Sequence, residues 1–150
     1  MTSNDMKTLK RILDINAPPG EVWRVLTDPE LVREWAAAYG EGVSIRTTWR
    51  EGDPVAWRAA DGATRAGGRI AAFQPQRLLR FEYDKGDLGA GRPYADSYAI
   101  SETGEGARLE FTSGPFDDEK APAIEAQVLL AVAEIKSLAE ESAQIRRLRA

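Results

Sequence analysis

The sequence predicts one α+β domain: a curved antiparallel sheet of about six to seven strands wrapped around a long C-terminal helix, with two short helices after the first strand. Three observations predict it. A strand-like segment runs into two proline-punctuated helical segments between Ile15 and Trp35. Short alternating segments separated by turns rich in Gly, Asp and Pro fill the middle of the chain. A single apolar stripe then continues from about Glu119 to about Leu148.

Residues 1–6 are polar and are expected to be disordered, so the domain is placed at residues 7–148. From Lys7 to Ile15 the alternation puts Leu9, Arg11, Leu13 and Ile15 on one face of a strand. Pro18 and Pro19 suit a helix start, because proline presets φ and lacks only a donor that the first turn leaves unused. Val22, Trp23, Leu26, Leu31, Val32 and Trp35 then recur at the three- and four-residue steps of one helical face. Thr27-Asp28-Pro29 interrupts them, with Asp28 as an N-cap and Pro29 at the first position of a second helix.

Tyr39-Gly-Glu-Gly42 breaks the helical pattern. Val43, Ile45, Thr47 and Trp49 alternate along one strand, Glu51-Gly-Asp-Pro54 turns, and Val55, Trp57 and Ala59 alternate back. Thr64 to Phe73 forms the next strand, with a bulge or sharp bend at Gly67-Gly68. In Leu78 to Asp84, Leu79, Phe81 and Tyr83 face inward and Arg80, Glu82 and Asp84 outward. Lys85 to Arg92, with three glycines and no apolar period, reads as a mobile loop and a candidate lid. Tyr94 to Ile100 and Arg108 to Ser113 supply the last strands. The final helix, about 40 Å long at 1.5 Å per residue, carries Ile124, Val128, Ala131, Val132, Ile135, Leu138, Ala139 and Ile145 in one stripe. Only an extended surface such as a curved sheet covers a stripe of that length.

Composition narrows the chemistry. The chain has no cysteine and no histidine, which removes disulfides, thiolate metal sites, Ser-His-Asp and Cys-His nucleophile arrangements and the usual general base near neutral pH. Twenty basic against twenty-four acidic residues give a net charge of −4, which disfavours a nucleic-acid backbone as partner. The basic group Arg146-Arg147-Leu148-Arg149 reads as cations at a helix C-terminus. Without a signal-like start or a membrane-spanning apolar run, a cytoplasmic protein is expected.

The ordered series Ala17-Pro18, Val22-Trp23, Leu26-Thr-Asp-Pro-Glu30, Trp35, Asp61-Gly62, Gly68-Arg-Ile70, Phe73-Gln-Pro75, Arg77-Leu-Leu79, Gly106-Ala-Arg-Leu-Glu-Phe-Thr112 and Ile135-Lys-Ser-Leu138 resembles the START/Bet v 1-like (SRPBCC) superfamily across roughly residues 7 to 141. Within it, the branch named for the activator of Hsp90 ATPase homologue 1 (AHSA1) is the best match. The resemblance implies a helix-grip domain whose relatives bind lipids, sterols, polyketides or other hydrophobic molecules between sheet and helix. Three departures stand out: Gly52-Asp53-Pro54 where a Gly-Gly pair is common, Ser113 where a strand-end histidine is frequent, and Gln127 before Val128 where many relatives carry a tryptophan. The first two are expected to lie outside the site or at its rim, and the third to reshape the pocket.

The candidate ligand-binding residues are Trp35, Trp49, Trp57, Phe73, Phe81, Tyr83, Tyr98 and Phe111, with Val128, Ala131, Val132 and Ile135 from the helix, where Ala131 and Ala139 leave room. Core packing is the competing reading for each aromatic. Arg11 is read as solvated, the alternatives being a ligand carboxylate or Glu110 as partner. Glu82 and Asp84 read as a solvated face, and Asp117-Asp118-Glu119 as charge at a helix start rather than a metal site.

The expected function is non-catalytic binding of a hydrophobic or amphipathic small molecule, with no catalytic residue, metal or cofactor assigned. A polyketide cyclase- or hydrolase-type enzyme is the first alternative, favoured if a buried carboxylate or arginine stands beside Tyr83 or Tyr98. A co-chaperone or stress-response interaction role is the second, and an Hsp90-type partner is disfavoured because the chain lacks the second domain of the full co-chaperone. Leu130, on the polar side of the last helix with Glu134, Ser137 and Glu141, keeps a homodimer open.

Overall fold

A computed structural model describes residues 6–86 and 92–149. Most of the expected disordered start and the centre of the expected Lys85–Arg92 loop therefore lie outside the described residues. The elements are β1 (Met6–Ile15), α1 (Pro19–Thr27), α2 (Pro29–Ala36), a 3-10 turn (Ala37–Tyr39), β2 (Ser44–Thr47), β3 (Pro54–Arg58), β4 (Thr64–Gln74), β5 (Leu78–Gly86), β6 (Tyr94–Thr103), β7 (Gly106–Asp117) and α3 (Ala121–Arg149).

The seven strands form one antiparallel sheet in the order β1-β7-β6-β5-β4-β3-β2, so the first strand closes against the last and successive hairpins build the rest. The long α3 lies on the inner face, with Ile124, Val128, Ala131, Val132, Ile135, Ala139 and Ala143 buried. Ile145, expected in the stripe, is 44% exposed; Ala143, one turn after Ala139, occupies the buried position instead. Leu129 and Leu130 face outward. No helix among the described residues is long and apolar enough to cross a membrane.

Local chemistry explains the helix pair. Pro19 stands in the first turn of α1, and the Asp28 carboxylate caps α2 by accepting from the Glu30 N–H at 3.0 Å, with Pro29 opening the helix. The pair places Val22, Val25, Leu26, Val32 and Trp35 in the core. Trp35 buries its ring and donates its Nε1–H to the Val25 carbonyl at 2.9 Å, so its polar handle is satisfied inside an apolar layer.

The bend expected at Gly67-Gly68 is a register shift in the β4–β5 ladder. Gly68 approaches β5 so closely that a Cβ would overlap the Glu82 carbonyl oxygen and stand 2.7 Å from the Tyr83 Cα. Trp49 corrects the expected strand: β2 ends at Thr47, and Trp49 sits in the following turn with φ +59°. The β5 alternation holds, with Leu79, Phe81 and Tyr83 buried and Glu82 on the outer face between Arg69 (2.7 Å) and Arg80 (3.3 Å).

Polar ties fasten the helix to its neighbours. Arg11 is half-buried and pairs with Glu125 of α3 at 2.9 Å, so it is neither freely solvated nor bonded to Glu110, which lies 3.5 Å from Lys10. Lys136 donates to the Asp14 carbonyl at 2.7 Å, and Glu140 accepts from the Asn16 N–H at 2.8 Å. At the far end of α3, buried Glu21 of α1 accepts from Ser142 at 2.8 Å and pairs with Arg146. One arginine of the basic C-terminal group thus closes an interhelical contact as well as facing the helix dipole.

Candidate functional site

The inner-facing side chains of β3 to β6 and the end of the helix pair enclose a recess of about 50 Å³. Its walls are Trp35 of α2, Tyr39 of the 3-10 turn, Val43, Trp57 of β3, Arg65 and Ala66 of β4, Tyr83 of β5, and Tyr94, Asp96 and Tyr98 of β6. A single water needs roughly 10–15 Å³ on this measure and drug-sized ligands occupy some 300–1,000 Å³, so the space suits a headgroup rather than a whole lipid. Half-buried Tyr39 and Arg65 mark its outer side, where an Arg65 Nη2–H donates to the Tyr39 carbonyl at 3.2 Å.

Among the described residues, Asp96 is the one acidic side chain in this wall, and the alternation that buries Tyr94, Tyr98 and Ile100 turns it inward. Its Oδ1 accepts from the Ser113 hydroxyl at 2.6 Å, and its Oδ2 faces the Tyr83 hydroxyl at 3.4 Å. The Tyr83 oxygen in turn accepts from Trp57 Nε1–H at 2.7 Å. A polar chain, Trp57–Tyr83–Asp96–Ser113, thus links side chains of four strands, β3, β5, β6 and β7, within an otherwise aromatic layer. Ser113 is 2% exposed. The position expected at the rim is therefore an interior partner of the recess carboxylate.

Electrostatics separates the members of this chain. Burial raises the Asp96 carboxyl from 3.8 to about 6, although the Ser113 and Tyr83 hydrogen bonds and the distant Arg80 charge oppose the rise. Burial, reinforced by the Asp96 charge, pushes the Tyr39, Tyr83 and Tyr98 phenols well above their ordinary value. Those three phenols stay protonated while Asp96 changes charge near neutrality. Acid–base capacity within the recess consequently centres on Asp96.

Of the residues expected to meet a ligand, Trp35, Trp57, Tyr83 and Tyr98 come together around this recess. Phe81 and Phe111 are buried behind them, Phe81 with its ring centroid 6.2 Å from Trp57 and Phe111 4.6 Å from Tyr98. Trp49 and Trp23 pack on Phe73 at centroid distances of 6.3 and 5.2 Å in a half-buried cluster outside the recess wall, which Trp49 joins to Phe81 at 6.4 Å. Val128, Ala131, Val132 and Ile135 are core residues, and none of them lines the recess. The large rings of the facing strands take up the space that the small side chains of α3 leave.

Sequence reasoning missed Tyr39, Val43, Arg65, Ala66, Tyr94 and Asp96. For Asp96 the signal was present: Tyr94, Asp96, Tyr98 and Ile100 share one strand face, and an acid in that row is inward by periodicity. Tyr39 carried no comparable signal, since its place depends on how the 3-10 turn follows α2. Among the described residues, no group of Asp and Glu is arranged to hold a metal ion.

A curved antiparallel sheet closed around a C-terminal helix, with an aromatic recess beneath the helix pair, defines the helix-grip class of the START/Bet v 1-like superfamily. Within that class, the chain belongs to the family described as polyketide cyclase/dehydrase and lipid transport, whose model matches residues 6–140. Its fold is similar to that of the AHSA1-like protein from Aeromonas hydrophila (17% identity, 91% of this chain and 94% of that chain covered, TM-score 0.71). It is similar also to protein MLL2253 from Mesorhizobium loti (18% identity, 90% and 98% covered, TM-score 0.72) and to CalU16 from Micromonospora echinospora (20% identity, 86% and 70% covered, TM-score 0.64). No curated protein matches the chain in sequence.

Proposed function

We propose that the chain binds a small amphipathic molecule, whose polar end enters the recess beneath α2 and whose apolar part lies against Trp35, Trp57 and Tyr98. The observation that carries this reading is Asp96, an acidic side chain turned into an aromatic recess and held there by Ser113 and Tyr83. Orienting polar groups in an apolar enclosure are what a binding site of this size requires. Membership of a family described by cyclase, dehydrase and lipid-transport activities supports a ligand-handling role.

Native mass spectrometry of the purified protein, beside the same sample denatured, tests the reading together with ¹⁵N NMR titration of short-chain amphiphiles. The expected result is an adduct lost on denaturation, with ligand-induced shifts centred on Tyr39, Ala66, Asp96 and the Trp35 and Trp57 indoles. A protein that stays bare, with no shift at these positions, overturns it.

One observation favours a second reading, acid–base catalysis of the cyclase or dehydrase type: the carboxyl beside Tyr83, with its ionisation near 6, is matched to proton transfer near neutrality. That reading requires turnover of a β-keto substrate, loss of it in Asp96→Asn by at least about 100-fold, and a rate that rises as pH passes through about 6. Binding without turnover leaves the first reading alone.

A further inference from the structure

We infer that the inner end of the recess receives the ammonium group of a small organic amine, with Asp96 as its counter-charge; this rests on the binding reading above. Among the described residues, no Lys or Arg makes an ion pair with Asp96, although ten such pairs form between other described residues. Its hydrogen-bond donors are neutral, the serine at 2.6 Å and the tyrosine at a long 3.4 Å. Asp96 is half-buried, and a carboxylate partly withdrawn from water without a cation carries a desolvation cost that a ligand bringing the cation offsets on binding.

The walls favour the same charge. Trp35, Trp57, Tyr83, Tyr94 and Tyr98 surround the site, and aromatic faces attract an ammonium group while offering an anion nothing in return for its hydration shell. The phenols next to Asp96 are held un-ionised, so among the described residues of the recess the negative charge falls on Asp96. About 50 Å³ accommodates an ammonium group with its first carbons and leaves a bulkier head outside.

The remaining cations are placed so as not to compete. Arg65 stands at the outer side on the Tyr39 carbonyl, and Arg80 pairs with Glu82 on the opposite face of the sheet.

The test is a ¹⁵N NMR titration at pH 7.5 with three ligands of one size: n-butylamine, butan-1-ol and butanoate. The amine is expected to bind at least ten-fold more tightly than the alcohol, and butanoate more weakly than either, with shifts at the Trp35 and Trp57 indoles. In Asp96→Asn the amine should fall to within two-fold of the alcohol. Butan-1-ol binding as tightly as the amine, or an amine preference that survives Asp96→Asn, overturns the inference while the recess remains a binding site. Absence of any shift with all three ligands overturns both. The wild-type comparison decides without any variant, should Asp96→Asn fail to fold.

Discussion

The Trp57 indole donates to the Tyr83 hydroxyl at 2.7 Å, joining β3 to β5 across β4 through side chains alone. Both residues are buried, so this bond replaces water that neither group reaches. Trp57→Phe should cost about 1–3 kcal/mol, because it opens a cavity and leaves a buried hydroxyl without its donor. Urea unfolding of Trp57→Phe, Tyr83→Phe and the double variant checks this. The two losses should be less than additive, by about 1 kcal/mol.

The stability profile should carry the mark of Asp96. Between 3.8 and about 6 the folded chain holds a proton that the unfolded chain releases, so this group makes stability fall as pH rises across that interval. Asp96→Asn removes the effect. From pH 4 to pH 7, its stability relative to the parent should improve by about 2–3 kcal/mol, read from denaturant melts at each pH. A constant difference across that range contradicts the assignment.

Glu140 acts in the opposite sense. Partial burial alone would raise its carboxyl, but the Lys136 hydrogen bond and the Asn16 N–H prevail and hold it below the ordinary carboxylate value. Its stabilisation is therefore present above the unfolded carboxylate range and disappears as pH falls through the lowered folded value. Glu140→Gln should lower the melting temperature at pH 7 and change it little at pH 3.

Gly67 and Gly68 are neighbours with opposite tolerance. A Cβ at Gly67 meets nothing within 4 Å, so Gly67→Ala should stay within about 1 kcal/mol of the parent. A Cβ at Gly68 enters the β5 backbone, and Gly68→Ala should lose at least the roughly 1–3 kcal/mol of ordinary overpacking. Parallel thermal melts of the two variants separate a backbone-contact glycine from a merely permissive one.

Periodicity made most of the frame legible. The Asp28–Pro29 restart, the inward set Leu79, Phe81 and Tyr83, and the Gly67-Gly68 irregularity all follow from local rules, and each stands where those rules put it. Trp49 went astray because a turn residue with positive φ leaves no trace in an alternating pattern. Arg11 found Glu125, a partner 114 residues away whose approach depends on how α3 crosses the sheet. The recess is half-legible: size and face mark out its aromatics, whereas Asp96 is hidden among the hydrophobic residues of its own row. Its significance comes from Ser113 and Tyr83, which only the paired strands bring beside it.

The pairing of β1 with β7 has a consequence for how the chain is made. Asp14 and Arg108 meet across that ladder although 94 positions separate them, and among the described residues β1 has no other strand neighbour. During vectorial synthesis, β1 is finished first and waits unpaired until nearly the entire sheet has left the ribosome. Its exposed Lys7 and Lys10 then act as charged gatekeepers on an open edge, discouraging the apolar row of Leu9, Leu13 and Ile15 from recruiting another nascent chain before its own last strand arrives.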